Sequence, residues 1–180
     1  MTIKVGINGF GRMGRLTLRA AVDWPNIEFI KVNDIAGDAK TDAHLLEFDS
    51  VHGRLHHPVT ATNNIIEVGK HNITVSNHKT INDNDWSGCD VVIEASGKMK
   101  TTQLLNAYLA QGVKRVVVTA PVKEEGILNI VVGVNDHLYK PSEHKIVTAA
   151  SCTTNCLAPI VKVLQQKVGI KHGSITTIHS

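Results

Sequence analysis

Short apolar runs of strand length alternate along this chain with segments whose apolar residues recur at helical spacing. "IKVGIN", Ile3 to Asn8, reads as a buried strand, and "MGRLTLRAAV" then repeats Leu16, Leu18, Ala20, Ala21 and Val22 on one helical face. "IEFIKVND" reads as a second strand and "DAHLLEF" as a short helix. From Pro58 to Ser76 the pattern changes: "VTAT", "IIEV" and "ITVS" alternate as antiparallel strands joined by "NN" and "KHN" turns. Strand "DVVIEA", helix "TTQLLNAYLAQG" and strand "RVVVTA" follow, then the strand runs "NIVVGV" and "KIVTAA". A helix from 152 to about 167 and a last strand, "SITTIH", complete the reading. The alternation predicts an α/β fold: a doubly wound, mostly parallel sheet of Rossmann type with helices on both faces. No Pro/Gly/Ser linker interrupts the chain, so a domain border near residue 150 would be tight.

Composition narrows the class. With 180 residues, 42% hydrophobic and 19% charged, the chain can bury one proper core and the start of a second domain. Disordered and collagen-like chains are excluded, and no apolar stretch approaches the length of a membrane span. The start lacks a charged region followed by an apolar one, so no secretory signal is expected. Three cysteines are too few for a disulfide framework and fit a reducing, cytoplasmic compartment. A net charge of +3 from scattered Lys and Arg gives nucleic-acid binding no electrostatic footprint.

The first chemical signature is Gly9-x-Gly11-x-x-Gly14, set directly after a strand and opening a helix. In that context the first glycine permits the tight turn, the second lets backbone approach a pyrophosphate, and the third lets helix and strand pack closely. The helix N-terminus then presents free N–H groups and partial positive charge to phosphates. Asp34 closes the second strand, 20 residues after Gly14. An acid there accepts hydrogen bonds from ribose hydroxyls and repels a 2′-phosphate, which favours NAD over NADP. Incidental glycines in a plain turn would not place strand, glycines, helix and acid in this register.

The second is "SCTTNC", Ser151 to Cys156. A zinc site wants about four ligands in pairs. The nearest histidine-rich stretch, with His52, His56 and His57, lies a hundred residues upstream and reads as a solvated loop, so no metal is expected. A disulfide is excluded because helical neighbours four apart have Cβ atoms roughly 5–6 Å apart, whereas a bridge needs about 3.8 Å. Cys156, inside the apolar helix, is expected to pack as a small hydrophobe. Cys152 differs. Ser151 is a natural N-cap, which puts Cys152 in the first turn, where the dipole and unpaired N–H groups favour a thiolate nucleophile and could hold an oxyanion. The candidate bases downstream are His172 and His179, and spacing alone does not choose between a structural and a catalytic role for His179.

"INGFGRMGR", "VND", "EFDSVHGRL", "EASG", "TAP", "ASCTTNCLAP" and "TTIHS" together resemble phosphorylating glyceraldehyde-3-phosphate dehydrogenases along all 180 residues. The resemblance implies an NAD-binding domain over residues 1–150. The first helix and strand of a truncated α+β catalytic domain would then occupy residues 151–180. It implies that Cys152 attacks the substrate aldehyde, that His179 is the base, and that inorganic phosphate attacks the resulting thioester. It places Asn8, Gly9, Phe10, Gly11, Arg12 and Met13 in the first nucleotide loop and Asp34 on the ribose. Lys79 would lie near the adenine, Ser96 and Gly97 along the pocket, and Thr119 near the nicotinamide. Ser151 and Thr153 would flank the nucleophile where substrate and phosphate bind. The partners implied are an aldose phosphate and inorganic phosphate, with a homotetramer as the full-length assembly and glycolysis as the setting.

This chain also departs from the pattern. Leu55 replaces an aromatic, Ala95 and two lysines alter "EASGKMKT", and Ala149 stands where many members have Asn. Those changes leave a four-carbon aldose phosphate, such as erythrose 4-phosphate, or an arsenate-linked role as alternatives. Family members are roughly twice as long, so a piece of a longer protein, or a nucleotide-binding module without turnover, also stays open. A short-chain reductase is set aside because Tyr108 and Tyr139 have no Lys four residues on.

Overall fold

The computed structural model describes residues 2–178. Its parallel strands are β1 (Ile3–Asn8), β2 (Ile27–Asn33), β7 (His71–Ser76), β8 (Val91–Glu94), β9 (Arg115–Val118), β10 (Leu128–Asn129) and β11 (Ile146–Thr148). The antiparallel extension is β5 (Val59–Thr62) and β6 (Ile65–Val68), and a small hairpin pairs β3 (Phe48–Asp49) with β4 (Gly53–Arg54). Helices α1 (Arg12–Ala21), α2 (Ala39–Glu47), α3 (Thr102–Ala110) and α4 (Cys152–Lys167) connect or follow them. The nine-stranded sheet has the order β10-β11-β9-β8-β1-β2-β7-β6-β5. Every pairing from β10 to β7 is parallel, and β7-β6-β5 is the expected antiparallel meander.

Two buried clusters hold the layers together, because strands buried on both sides send alternate residues to opposite faces. On one face Ile7, Phe29 and Val32 pack with Leu18 of α1 and Ala43 and Leu46 of α2. On the other, Val92, Val116 and Val118 pack with Leu105 and Tyr108 of α3. The sheet order reverses direction beside β1: from β1 the chain steps to β2 on one side and later to β8 on the other. Ligands of open α/β sheets bind outside the carboxyl ends of strands at such a switch point.

Two expected strands are not as the pattern suggested. "NIVVGV" contributes only Asn129 to β10, because Val131 and Val134 close a turn by an N–H to carbonyl bond of 3.0 Å. The Asn135 side chain takes the Val131 N–H at 2.7 Å, a side-chain alternative to ladder pairing. Residues 174–178 of "SITTIH" form no strand and are exposed, since no neighbouring strand offers them a ladder. Among the described residues no helix is long and apolar enough to cross a membrane.

Candidate functional site

The crevice at the switch point is built from the turns that leave β1, β2 and β8. Gly9 adopts φ +92°, and a Cβ on it would lie 2.4 Å from the Ser96 backbone nitrogen. On Gly14 a Cβ would lie 2.2 Å from the Gly9 carbonyl oxygen and 3.1 Å from Ile7 Cγ2. Both glycines are therefore demanded by the protein's own packing. Gly11 is different: a Cβ there would meet nothing within 4 Å. Its bare backbone lines the crevice, where an approaching ligand gives it a purpose. α1 starts at Gly11 with no side-chain cap and no acid in its first turn, so its N–H groups and dipole are available to an anion.

Asp34 is held by two backbone donors, Phe10 N–H at 2.6 Å and Ala36 N–H at 2.8 Å, and its carboxylate lines the crevice. Asn8, Gly9, Gly11, Asp34, Lys79 and Ser96 all line it. Phe10 contributes backbone, because its side chain is buried. Arg12 turns to Asp49 at 3.1 Å, and Met13 lies in a separate apolar groove along α1 with Leu16 and Trp24. Neither side chain is among those lining the crevice. Gly97 follows Ser96 at φ +72°, and Thr119 donates its N–H to the Glu94 carbonyl at the neighbouring strand end, 2.9 Å away.

Beneath the crevice runs a buried polar network that periodicity could not reveal. Glu94 is 1% exposed, and its oxygens accept from Asn8 Nδ2 at 2.8 Å, Tyr108 Oη at 2.5 Å, and Ser96 N and Oγ at 2.8 and 2.5 Å. Asn8 Nδ2 also donates to Tyr108 Oη at 2.7 Å, and Asn33 Nδ2 donates to Asn8 Oδ1 at 2.8 Å and to the His78 carbonyl at 2.9 Å. Burial, followed by the Glu94 charge, pushes the Tyr108 phenol well above its ordinary range, so it serves as a neutral donor. The network ties β1, β2, β8 and α3 into one rigid floor. His78, Lys98 and Met99 complete the walls and were missed because nothing in their local spacing marks them.

α4 follows β11, a parallel strand, so its N-terminus opens at the same end of the sheet as the crevice. Ser151 caps it as expected: its Oγ accepts the Thr154 N–H at 3.2 Å and pairs with Thr153 Oγ1 at 2.8 Å. Ala150 sits at φ +56°, a left-handed conformation that L-residues avoid, directly before this cap. Asn155, unremarked in the sequence, holds the bend by donating to the Ala149 carbonyl at 2.7 Å and the Ser151 carbonyl at 2.9 Å. Cys152 is the first helical residue and is exposed. Cys156 is exposed too, contrary to the expected packing, because no residue of α4 is buried and its apolar side chains face solvent. Cys89 is the cysteine that does pack, and burial lifts its thiol to about 11. His179 lies outside the described residues.

A family model for the glyceraldehyde 3-phosphate dehydrogenase NAD-binding domain matches residues 3–102, and that for the C-terminal domain of the same family matches residues 151–180. The chain belongs to the glyceraldehyde 3-phosphate dehydrogenase family. It is 55% identical to glyceraldehyde-3-phosphate dehydrogenase 3 of Nostoc sp. over 99% of this chain and 53% of that protein. It is 46% identical to the glyceraldehyde-3-phosphate dehydrogenase of Geobacillus stearothermophilus over 100% of this chain and 54% of that protein. With glyceraldehyde-3-phosphate dehydrogenase 1 of Bacillus subtilis the identity is 44%, over 100% of the chain and 54% of the relative. The chain spans about half the length of the curated relatives it matches. The family's dinucleotide, NAD, fits the chemistry of the crevice, which offers bare protein backbone with open space at Gly11, an uncapped α1 terminus for an anion and an anchored Asp34 carboxylate for hydroxyl donors.

Proposed function

We propose that the protein carrying this chain catalyses the NAD-dependent, phosphorylating oxidation of glyceraldehyde 3-phosphate to 1,3-bisphosphoglycerate. Residues 1–150 would be the NAD-binding domain and residues 151–180 the beginning of the catalytic domain. The observation that carries this reading is the position of Cys152, exposed in the first turn of a capped helix that opens at the crevice end of the sheet.

The Cys152 thiolate adds to the aldehyde carbon, forming a C–S bond and an alkoxide. First-turn N–H groups of α4 not taken by the Ser151 cap stabilise that negative charge. His179 is the proposed acid–base group: it gives a proton to the alkoxide, forming the hemithioacetal hydroxyl, and takes that proton back as the hydride leaves the carbon. Bound NAD supplies the hydride acceptor. Asp34 and the Gly9–Gly14 turn hold the nucleotide, and Asn8 and Ser96, fixed by Glu94, shape the wall at the β1 and β8 ends. Inorganic phosphate then attacks the Cys152 thioester, and the thiolate leaves. Ser151 and Thr153, paired through their hydroxyls, are the proposed contacts for substrate and phosphate.

The test is the appearance of NADH at full protein length. Dependence on both glyceraldehyde 3-phosphate and phosphate, and loss of turnover on Cys152→Ser, is the expected result. Faster turnover of erythrose 4-phosphate would move the assignment to the four-carbon substrate, and NAD binding without turnover would make the protein a nucleotide-binding module.

A further inference from the structure

At the end of α1 away from the crevice, three potential ligands converge that are far apart in sequence. Asp23 lies in the turn between α1 and β2, and its Oδ2 meets His56 Nε2 at 2.9 Å while its Oδ1 meets His57 Nε2 at 2.6 Å. The two imidazole rings are 4.2 Å apart between centroids, and the ligand atoms of all three residues lie within 4.8 Å of one another. α1 has 10 residues, so this cluster stands roughly 15 Å along the helix from the nucleotide turn.

We propose that Asp23, His56 and His57 form a binding site for a divalent transition-metal ion of the zinc or cobalt kind. Two imidazole nitrogens and one carboxylate oxygen are the donor set such ions prefer, with water completing the coordination. Metal–ligand bonds of about 2.0–2.2 Å place tetrahedral ligand atoms about 3.3 Å apart. The present separations of 2.9 and 2.6 Å need open by only roughly half an ångström to admit an ion. In the unloaded site the two imidazoles hydrogen-bond to separate Asp23 oxygens, which holds the three ligand atoms together. An ion takes over the same atoms when the ring protons move to Nδ1 and the Nε2 lone pairs turn to it.

The surroundings hold the ligands in place. His71 is buried and bridges the Phe29 N–H and the Val22 carbonyl, fixing the residue before Asp23. Lys70 Nζ donates to the Trp24 carbonyl on the other side, so its charge is engaged with backbone. Arg54, at the mouth of the same cleft, is paired to Glu47 at 2.7 Å and leaves the Asp23 carboxylate to the histidines. Sequence spacing concealed the site because Asp23 lies 33 residues before His56.

Cobalt(II) titration of the protein carrying Cys152→Ser and Cys156→Ser tests the proposal, with the exposed thiols removed as competitors. The expected result is one equivalent of visible d–d absorption, displaced by zinc. Asp23→Asn, His56→Gln and His57→Gln should each weaken binding by about 100-fold or more. Nitrogen-15 spectra of the histidine-labelled protein provide a readout without these substitutions: zinc should move Nε2 of His56 and His57. One-equivalent binding that persists undiminished in His57→Gln, no cobalt uptake below about 1 mM, or zinc shifts confined to other histidines would overturn it.

Discussion

A Cβ atom on Gly9 would fall 2.4 Å from the backbone nitrogen of Ser96, so the turns after β1 and β8 meet through bare backbone. Ser96 N in turn donates to Glu94 at 2.8 Å, which fixes that contact from below. The nucleotide turn is thus braced against its neighbour before any ligand arrives. Gly9→Ala has to relieve this clash and a φ of +92° together. It should cost more than about 2 kcal/mol and abolish tight NAD binding. Urea midpoints and NAD titration of the variant check both.

Four donor groups converge on Glu94, from Asn8, Tyr108 and the backbone and hydroxyl of Ser96. Glu94→Gln keeps the shape but turns two N–H groups toward them, and should destabilise by about 2–3 kcal/mol. Glu94→Ala strands all the donors and should cost about 3–5 kcal/mol. Tyr108→Phe removes one donor and should cost about 1 kcal/mol. A Gln variant as stable as wild type, measured by denaturant unfolding, would contradict this account of the floor.

Asp42 is 2% exposed, and one of its oxygens has no partner. Burial, reinforced by the charge of Asp34, raises its carboxyl to about 7 from an ordinary 3.8. The folded state therefore holds a proton that the unfolded chain releases. The stabilisation is complete below about pH 4 and is lost as pH rises to about 7, with an amplitude on the order of 2–4 kcal/mol. Asp42→Asn should flatten that part of the stability profile. The check is the urea midpoint of both proteins between pH 4 and 8.

Ser151 Oγ caps the helix that presents Cys152. Ser151→Ala should cost about 1 kcal/mol of stability. It should also slow alkylation of Cys152 about 2–5-fold through loss of first-turn order, with little effect on Cys156 one turn further in. Peptide mapping after timed iodoacetamide exposure measures both rates in one sample. Equal slowing of the two thiols would show general fraying instead.

Asp34 is the acid that faces an adenosine ribose in the proposed pose, while Lys79 and Lys98 line the same crevice. Asp34→Ser removes the repulsion against a 2′-phosphate and leaves the lysines. The ratio of NADP to NAD affinity should rise about 10-fold or more. An unchanged ratio in fluorescence titration would place the ribose elsewhere.

Local constraints were readable from the sequence. Gly9, Gly11 and Gly14 mark a strand-turn-helix in which Gly9 and Gly14 leave no room for a Cβ, and Asp34 ends the next strand at a fixed offset. Ser151 before an apolar helical run marks a cap, because the oxygen that satisfies the first turn belongs to a neighbour in the chain. The antiparallel stretch from Val59 to Ser76 was legible for the same reason, each strand being paired with the next. The buried Asn8–Glu94–Tyr108 network was not, since 86 residues separate the first pair and only the pairing of β1 with β8 unites them. Residues 174–178 carry a strand pattern without a ladder, and Cys156 an apolar setting without a covering layer. Asp23 and the two histidines met because the turn after α1 lies beside the segment that leads into β5. Sequence by itself determined turns, caps and periodicity, which depend on backbone geometry within a few residues. Only the tertiary structure decided which polar groups share a buried floor and which apolar faces find cover, because those outcomes depend on the partners that distant segments bring.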